Sequence, residues 1–186
     1  DRNKSMIISA FIKKMLPIQL SLVDKYSEFD FIIAGVNSHS EEYYRSFIGE
    51  RNNVKLIYDN TYSILNNAHC AVVTSGTATL ETALFNVPEV VCYKANALSF
   101  LAAKYLVKIQ YISLVNIILK ESAVVELLQD KWNEDCLEKE FKKICFDETY
   151  REQMQYLFNK LKNILGDSGA SPSIAQSIIE NLNNKK

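Results

Sequence analysis

The stretch Ala71-Val72-Val73-Thr74-Ser75-Gly76-Thr77-Ala78-Thr79-Leu80-Glu81 decides how this chain is read. Its first four residues are small, apolar or β-branched, which suits a buried strand. Ser75 and Gly76 make a tight turn, and Thr77 opens a helix. A helix start carries unpaired N–H groups and the positive end of the dipole, so small residues there let an anion reach the backbone. Open α/β sheets bind ligands at the carboxyl ends of their parallel strands. Ser75, Gly76, Thr77 and Ala78 are therefore expected to cradle a phosphate; the competing reading is a plain helix start with no ligand. Glu81 lies two turns into the helix, beyond the capping-box position three residues after a cap. A ribose diol beside the phosphate would suit its carboxylate, against the alternative of an ordinary surface glutamate.

Outward from this segment, strands and helices alternate. Met6–Ala10, Phe29–Val36, Val54–Tyr58, Ala71–Thr74 and Val90–Tyr93 read as strands. Ile12–Tyr26, Ser40–Ile48, Asn60–Asn67, Gly76–Asn86 and Ala97–Val107 read as helices. Ser40-Glu41-Glu42 is an N-terminal signature, and Asn86 followed by Pro88 closes the fourth helix. The strands are apolar throughout rather than alternating, which predicts burial on both faces and a parallel sheet. Tyr111–Leu114 reads as one more strand and Ala123–Gln129 as a helix. Glu134–Ile144, Glu148–Leu165 and Ser171–Leu182 read as helices. The expected fold class is α/β, a Rossmann-like parallel sheet flanked by helices over residues 1–132, with C-terminal helices over 133–186 packing on it.

One junction is unusual. The strand Met6–Ala10 meets Phe11-Ile12 with no turn residues, where a βα connection takes two to six. Either the loop is very tight or residues are absent from it.

Composition narrows the function. Of 186 residues, 48% are hydrophobic, enough for a core, and the net charge of −1 gives no bulk attraction to nucleic acid. The four cysteines show no CxxC, and two histidines leave little material for a zinc site or a His-based triad. No metal or cofactor is expected. Cys70 and Cys92 sit in apolar runs as small buried hydrophobes, which suits a reducing compartment. No run approaches the roughly 20 apolar residues of a membrane span. The start, Asp1-Arg2-Asn3-Lys4, has neither a signal-peptide pattern nor an initiator Met, as expected of a piece of a longer chain.

Four blocks then carry a family resemblance: Ser75–Leu84; Pro88-Glu89-Val90-Val91-Cys92-Tyr93-Lys94; Leu106–Asn116; and Val125-Glu126-Leu127-Leu128-Gln129. In order and spacing they resemble the C-terminal half of lipid-A-disaccharide synthase. The resemblance implies one half of a GT-B glycosyltransferase, with two Rossmann-like domains facing a cleft. It implies transfer of 2,3-diacylglucosamine from its UDP ester to 2,3-diacylglucosamine 1-phosphate. The products would be the β-1,6 lipid A disaccharide 1-phosphate and UDP. By the same resemblance this half holds the UDP-sugar donor. The N-terminal domain supplies most of the acceptor site and the catalytic base, so no catalytic residue is expected in this chain, and the chain alone should be inactive. The full hexosyltransferase is expected at the cytoplasmic face of the inner membrane of a Gram-negative bacterium, attached peripherally, because its substrates are acylated.

Two departures stand out. The family has a Gly-Ser-Arg loop after the first strand, its Arg reaching the donor phosphates; here Ala10 runs into Phe11. Val115 stands where the family has Pro, leaving Asn116 available.

The resemblance assigns donor contacts beyond the phosphate turn. Asn116, by itself a turn residue in a loop, becomes a donor-site contact. Gln129, placed on one helical face with Glu126, holds the nucleotide or the loop bearing Asn116. Lys94 follows a strand end and approaches the donor or an acidic lipid headgroup, or is simply solvated; Tyr93 either packs near the uracil or belongs to the core. Phe100, Lys104 and Lys108 either face an anionic membrane surface or lie on a helix packed on the sheet. Rival readings are another UDP-sugar GT-B enzyme, an epimerase or the peptidoglycan transferase, and a nucleotide-binding module with no chemistry.

Overall fold

The computed structural model describes residues 5–9, 12–94 and 110–166. Six strands form one parallel sheet in the order β3-β2-β1-β4-β5-β6. They are β1 (Ser5–Ser9), β2 (Asp30–Gly35), β3 (Val54–Tyr58), β4 (Cys70–Thr74), β5 (Glu89–Tyr93) and β6 (Val125–Leu128). Among the described residues seven α-helices accompany them: α1 (Ile12–Lys25), α2 (Glu41–Ile48), α3 (Thr61–Asn67), α4 (Thr77–Leu84), α5 (Leu114–Leu119), α6 (Glu134–Phe146) and α7 (Glu148–Leu165). The chain winds outward from β1 to β3, then returns to β4 beside β1 and continues the other way. That reversal opens a crevice at the carboxyl ends of the central strands, where such sheets bind ligands.

The continuous apolar runs behave as expected of strands covered on both faces. Four of five residues of β4, and of β5, are buried. Alternate residues of β4 divide between two cores: Cys70 and Val72 join Met6, Phe31, Val90 and Cys92 on one face, while Ala71 and Val73 join Ile64, Leu65 and Val87 on the other. Leu137 and Phe141 of α6 and Met154 and Phe158 of α7 belong to the first core, so the C-terminal helices share it with the sheet. Cap residues set the helix starts. Ser40 accepts from the Tyr43 N–H, Asn133 from Cys136 and Asp147 from Tyr150. Asn86 takes a left-handed φ of 60° just past α4, the closure that its position before Pro88 implies.

Two elements differ from the sequence reading. Ala123–Gln129 is not a helix: Val125–Leu128 is β6, pairing in parallel with β5 from Val90↔Val125 to Tyr93↔Leu128. Leucines and glutamate favour a helix locally, but the open ladder of β5 supplies backbone partners that outweigh that preference. Tyr111–Leu114 is not a strand. Ser113 caps α5 by accepting from the Asn116 N–H, and the helix begins at Leu114. Asn116 is thus in a helix rather than a loop, and Glu126 and Gln129 share no helical face. The expected helices Ala97–Val107 and Ser171–Leu182, the Phe100/Lys104/Lys108 face and the Ala10–Phe11 junction lie outside the described residues.

Candidate functional site

The carboxyl edge of the sheet gathers the segments that the sequence singles out. The Ser75 N–H donates to the Cys92 carbonyl at 3.0 Å, extending the β4–β5 ladder one residue into the turn. The Ser75 hydroxyl donates to the Ile112 carbonyl at 3.3 Å. Gly76 precedes α4, and no side chain caps that helix. Among the described residues, a Cβ built on Gly76 would meet nothing within 4 Å, so none of them crowds the helix start. The Thr79 N–H and hydroxyl both turn back to the Gly76 carbonyl, at 3.3 and 2.8 Å. This fixes the turn while Thr77, exposed, and Ala78, half-buried, stand at the opening. The first N–H groups of a helix have no intrahelical acceptor, so this end suits an anion.

Glu81 is half-buried on the flank of α4 that faces the β3–α3 junction. It lines an open groove of about 330 Å³ together with Asp59, Asn60, Thr61 and Tyr62. Asp59 holds a left-handed φ of 52°, and its two carboxylate oxygens accept from the Asn37 amide at 2.9 and 2.8 Å. Tyr62 is 63% exposed and stacks on Phe85 with ring centroids 5.5 Å apart. The groove thus offers two carboxylates and an aromatic flank beside an uncapped helix start. Those groups can accept from hydroxyls, cover a flat ring and face an anion. Sequence reasoning missed the Asp59–Tyr62 wall; its signal was the Asp-Asn turn pair at the end of a strand.

The remaining candidates fall in different places. Asn116 is 1% exposed. Its Oδ1 accepts from the Ala123 and Val124 N–H groups at 2.8 and 3.0 Å, and its Nδ2 donates to the Val124 carbonyl and Glu126 Oε1, each at 2.9 Å. All four of its hydrogen-bonding capacities are engaged within the protein. Gln129 follows β6 with a left-handed φ of 50°. Its Nε2 is buried with no hydrogen-bond partner among the described residues. Tyr93 is half-buried and Lys94 exposed at the end of β5, beside Leu128 and Gln129. Among the described residues no group of three or more His, Cys, Asp or Glu side chains is arranged to hold a metal. No described helix is long and apolar enough to cross a membrane.

The cysteines behave as apolar filler. Cys70 and Cys92 are fully buried, and burial pushes the Cys92 thiol up to about 12. Burial pushes the Cys145 thiol up as well.

The family profile for lipid-A-disaccharide synthetase matches residues 5–174. Lipid-A-disaccharide synthase of Syntrophus aciditrophicus is 32% identical over 170 residues, covering 88% of this chain and 44% of the relative. The enzyme of the same name from Nitrosococcus oceani is 32% identical over 176 residues, covering 92% and 45%. The chain therefore spans a little under half the length of the curated relatives it matches. Among solved structures, the S. aureus MnaA–UDP co-structure superposes with a TM-score of 0.68 at 17% identity, over 98% of this chain and 46% of that one. The calicheamicin glycosyltransferase CalG4 superposes with a TM-score of 0.62 at 13% identity, over 97% and 42%. These two share the fold, the Rossmann-like half of a GT-B architecture.

Proposed function

The chain belongs to the lipid-A-disaccharide synthase family, and on that footing we propose that it is the donor-binding part of such an enzyme. The whole enzyme would move 2,3-diacylglucosamine from its UDP ester to 2,3-diacylglucosamine 1-phosphate, forming the β-1,6 disaccharide 1-phosphate and releasing UDP. The observation that carries this reading is the uncapped, open start of α4 beside the groove that holds Glu81.

In this proposal the diphosphate sits over Ser75, Gly76, Thr77 and Ala78. Negative charge grows on the β-phosphate oxygen as the glycosidic bond breaks. The helix-start N–H groups are held by the α4 backbone before the reaction, so they stabilise that charge without reorganising, while the Ser75 hydroxyl, donating to the Ile112 carbonyl, anchors the turn. The ribose hydroxyls donate to Glu81, and the base extends along the Asp59–Tyr62 wall. Gln129 Nε2, buried without an acceptor among the described residues, is assigned an oxygen of the UDP-sugar; a polar group left unpaired costs about 1–3 kcal/mol. Lys94 and Tyr93 flank the same edge. Asn116, with its capacities filled, is assigned the task of shaping the site rather than touching the donor. The acceptor site and the catalytic base are assigned to an N-terminal domain of the full protein, so the present chain alone is expected to have no transferase activity. The acylated substrates favour a peripheral position on the cytoplasmic face of the inner membrane.

Calorimetric titration with UDP tests the assignment. Glu81→Ala should weaken UDP binding by about 1–3 kcal/mol, the cost of leaving polar partners unpaired. Unchanged affinity would remove Glu81 from the site.

A further inference from the structure

We propose that Glu126 is a positioning residue of the donor site, acting on the phosphate turn through Ile112 without touching the ligand; this rests on the donor-site reading above. Residues 110–113 form neither helix nor strand, so no regular ladder holds them in place. Among the described residues one carboxylate takes both of the N–H groups of Ile112 and Ser113. Glu126 accepts from the Ile112 N–H at 3.1 and 2.9 Å through its two oxygens, and from the Ser113 N–H at 2.9 Å. It also accepts from the Asn116 amide at 2.9 Å.

Ile112 is then gripped from both sides. Its N–H is held by Glu126, and its carbonyl accepts from the Ser75 hydroxyl at 3.3 Å. Ser75 is the residue before Gly76 and the start of α4. A run of hydrogen bonds therefore leads from β6, across the irregular segment, to the residue that anchors the turn proposed to hold the diphosphate. Asn116 braces the far side, tying α5 to the Ala123 and Val124 backbone. The packing of these elements does not depend on the carboxylate: Val115, Leu119, Val124 and Leu127 are buried in the main core. Glu126 itself is only half-buried. Removing its charge should loosen the segment and with it the Ile112 carbonyl that anchors Ser75 and the turn before α4, while leaving the fold standing.

Glu126→Gln is a narrow lesion. It leaves one acceptor oxygen and sets an amide N–H₂ among N–H donors. UDP affinity should fall about tenfold, the scale of one hydrogen bond to a charged acceptor. In a Ser75→Ala background the same change should cost much less, because its route to the ligand is already cut.

The experiment measures UDP binding by calorimetry on the wild-type chain, both single variants and the double variant. It also follows amide hydrogen exchange at Ile112 and Ser113 in the wild type without UDP. A loss on Glu126→Gln that shrinks in the Ser75→Ala background, with both amides protected in the wild type, supports the proposal. Unchanged affinity overturns it, as does an equal loss in both backgrounds, which marks a general structural effect. Unprotected amides overturn it with no variant needed. Failure of the wild-type chain to bind UDP at all refutes the donor-site reading instead, and takes this proposal with it.

Discussion

Glu89 is the sharpest test of the energetics. It opens β5, pairs in register with Ala71, and is 0% exposed. Neither carboxylate oxygen has a hydrogen-bond partner among the described residues. Burial alone raises its pKa well above the usual carboxylate range. The folded chain therefore holds Glu89 neutral at pH values where the unfolded chain, with a pKa of about 4.3, has ionised it. Unfolding then releases a proton. The stability tied to this group is complete below the unfolded pKa and is lost as pH rises towards the folded one, by about 1.4 kcal/mol per pH unit within that window. Glu89→Gln keeps the shape and removes the titration, so the difference in unfolding free energy between wild type and variant should slide in the variant's favour by that slope above about pH 5. Glu89→Met goes further by removing an unpartnered polar group beside Met154, whose sulfur already accepts from the Glu89 N–H at 3.3 Å. It should stabilise the chain at neutral pH by about 1–3 kcal/mol. Urea unfolding followed by fluorescence of Trp132, the single tryptophan and 2% exposed, reads both effects. Parallel pH profiles for wild type and Glu89→Gln would show that the carboxyl does not titrate as a buried acid, and the argument would fail.

Two further perturbations follow from the packing of α6. Glu138 takes hydrogen bonds from Lys142 at 2.8 Å and Lys25 at 2.5 Å, and these cations hold its carboxyl down to about 2. Its stabilisation is present above the unfolded pKa and lost as pH falls towards 2, so Glu138→Gln should differ from wild type at pH 6 and converge with it in acid; a gap that persists at pH 2 would contradict this. Phe141 is 0% exposed, with its ring 4.7 Å from Tyr26 and 5.4 Å from Phe29, so Phe141→Ala should cost about 3–5 kcal/mol in urea unfolding. A cost under 1 kcal/mol would mean that α6 contributes little to the core.

Particular residues show why some of this fold was legible in the sequence. The runs Ala71–Thr74 and Val90–Tyr93 are apolar without alternation because both faces of β4 and β5 are covered. Ser40 before Glu41, and Asp147 before Glu148, place caps one residue from the helices they start. The turn proposed to hold the phosphate is a local feature, so its residues lie together in sequence as in space. What escaped was set by partners distant in the chain. Val-Glu-Leu-Leu becomes β6 only because β5 is there to pair with it. Asn116 reads as a loop residue, yet its side chain is filled by the Ala123–Val124 backbone and Glu126, seven to ten residues on. The Asp59–Tyr62 wall meets Glu81 across two helices, a proximity that no local pattern encodes.

Amide NMR during a UDP titration of the chain tests the central claim most directly. The account predicts that the largest shifts fall on Ser75, Gly76, Thr77, Ala78 and Glu81, with smaller ones along Asp59–Tyr62. Shifts clustered on another edge of the sheet, or none at all at saturating UDP, would contradict it.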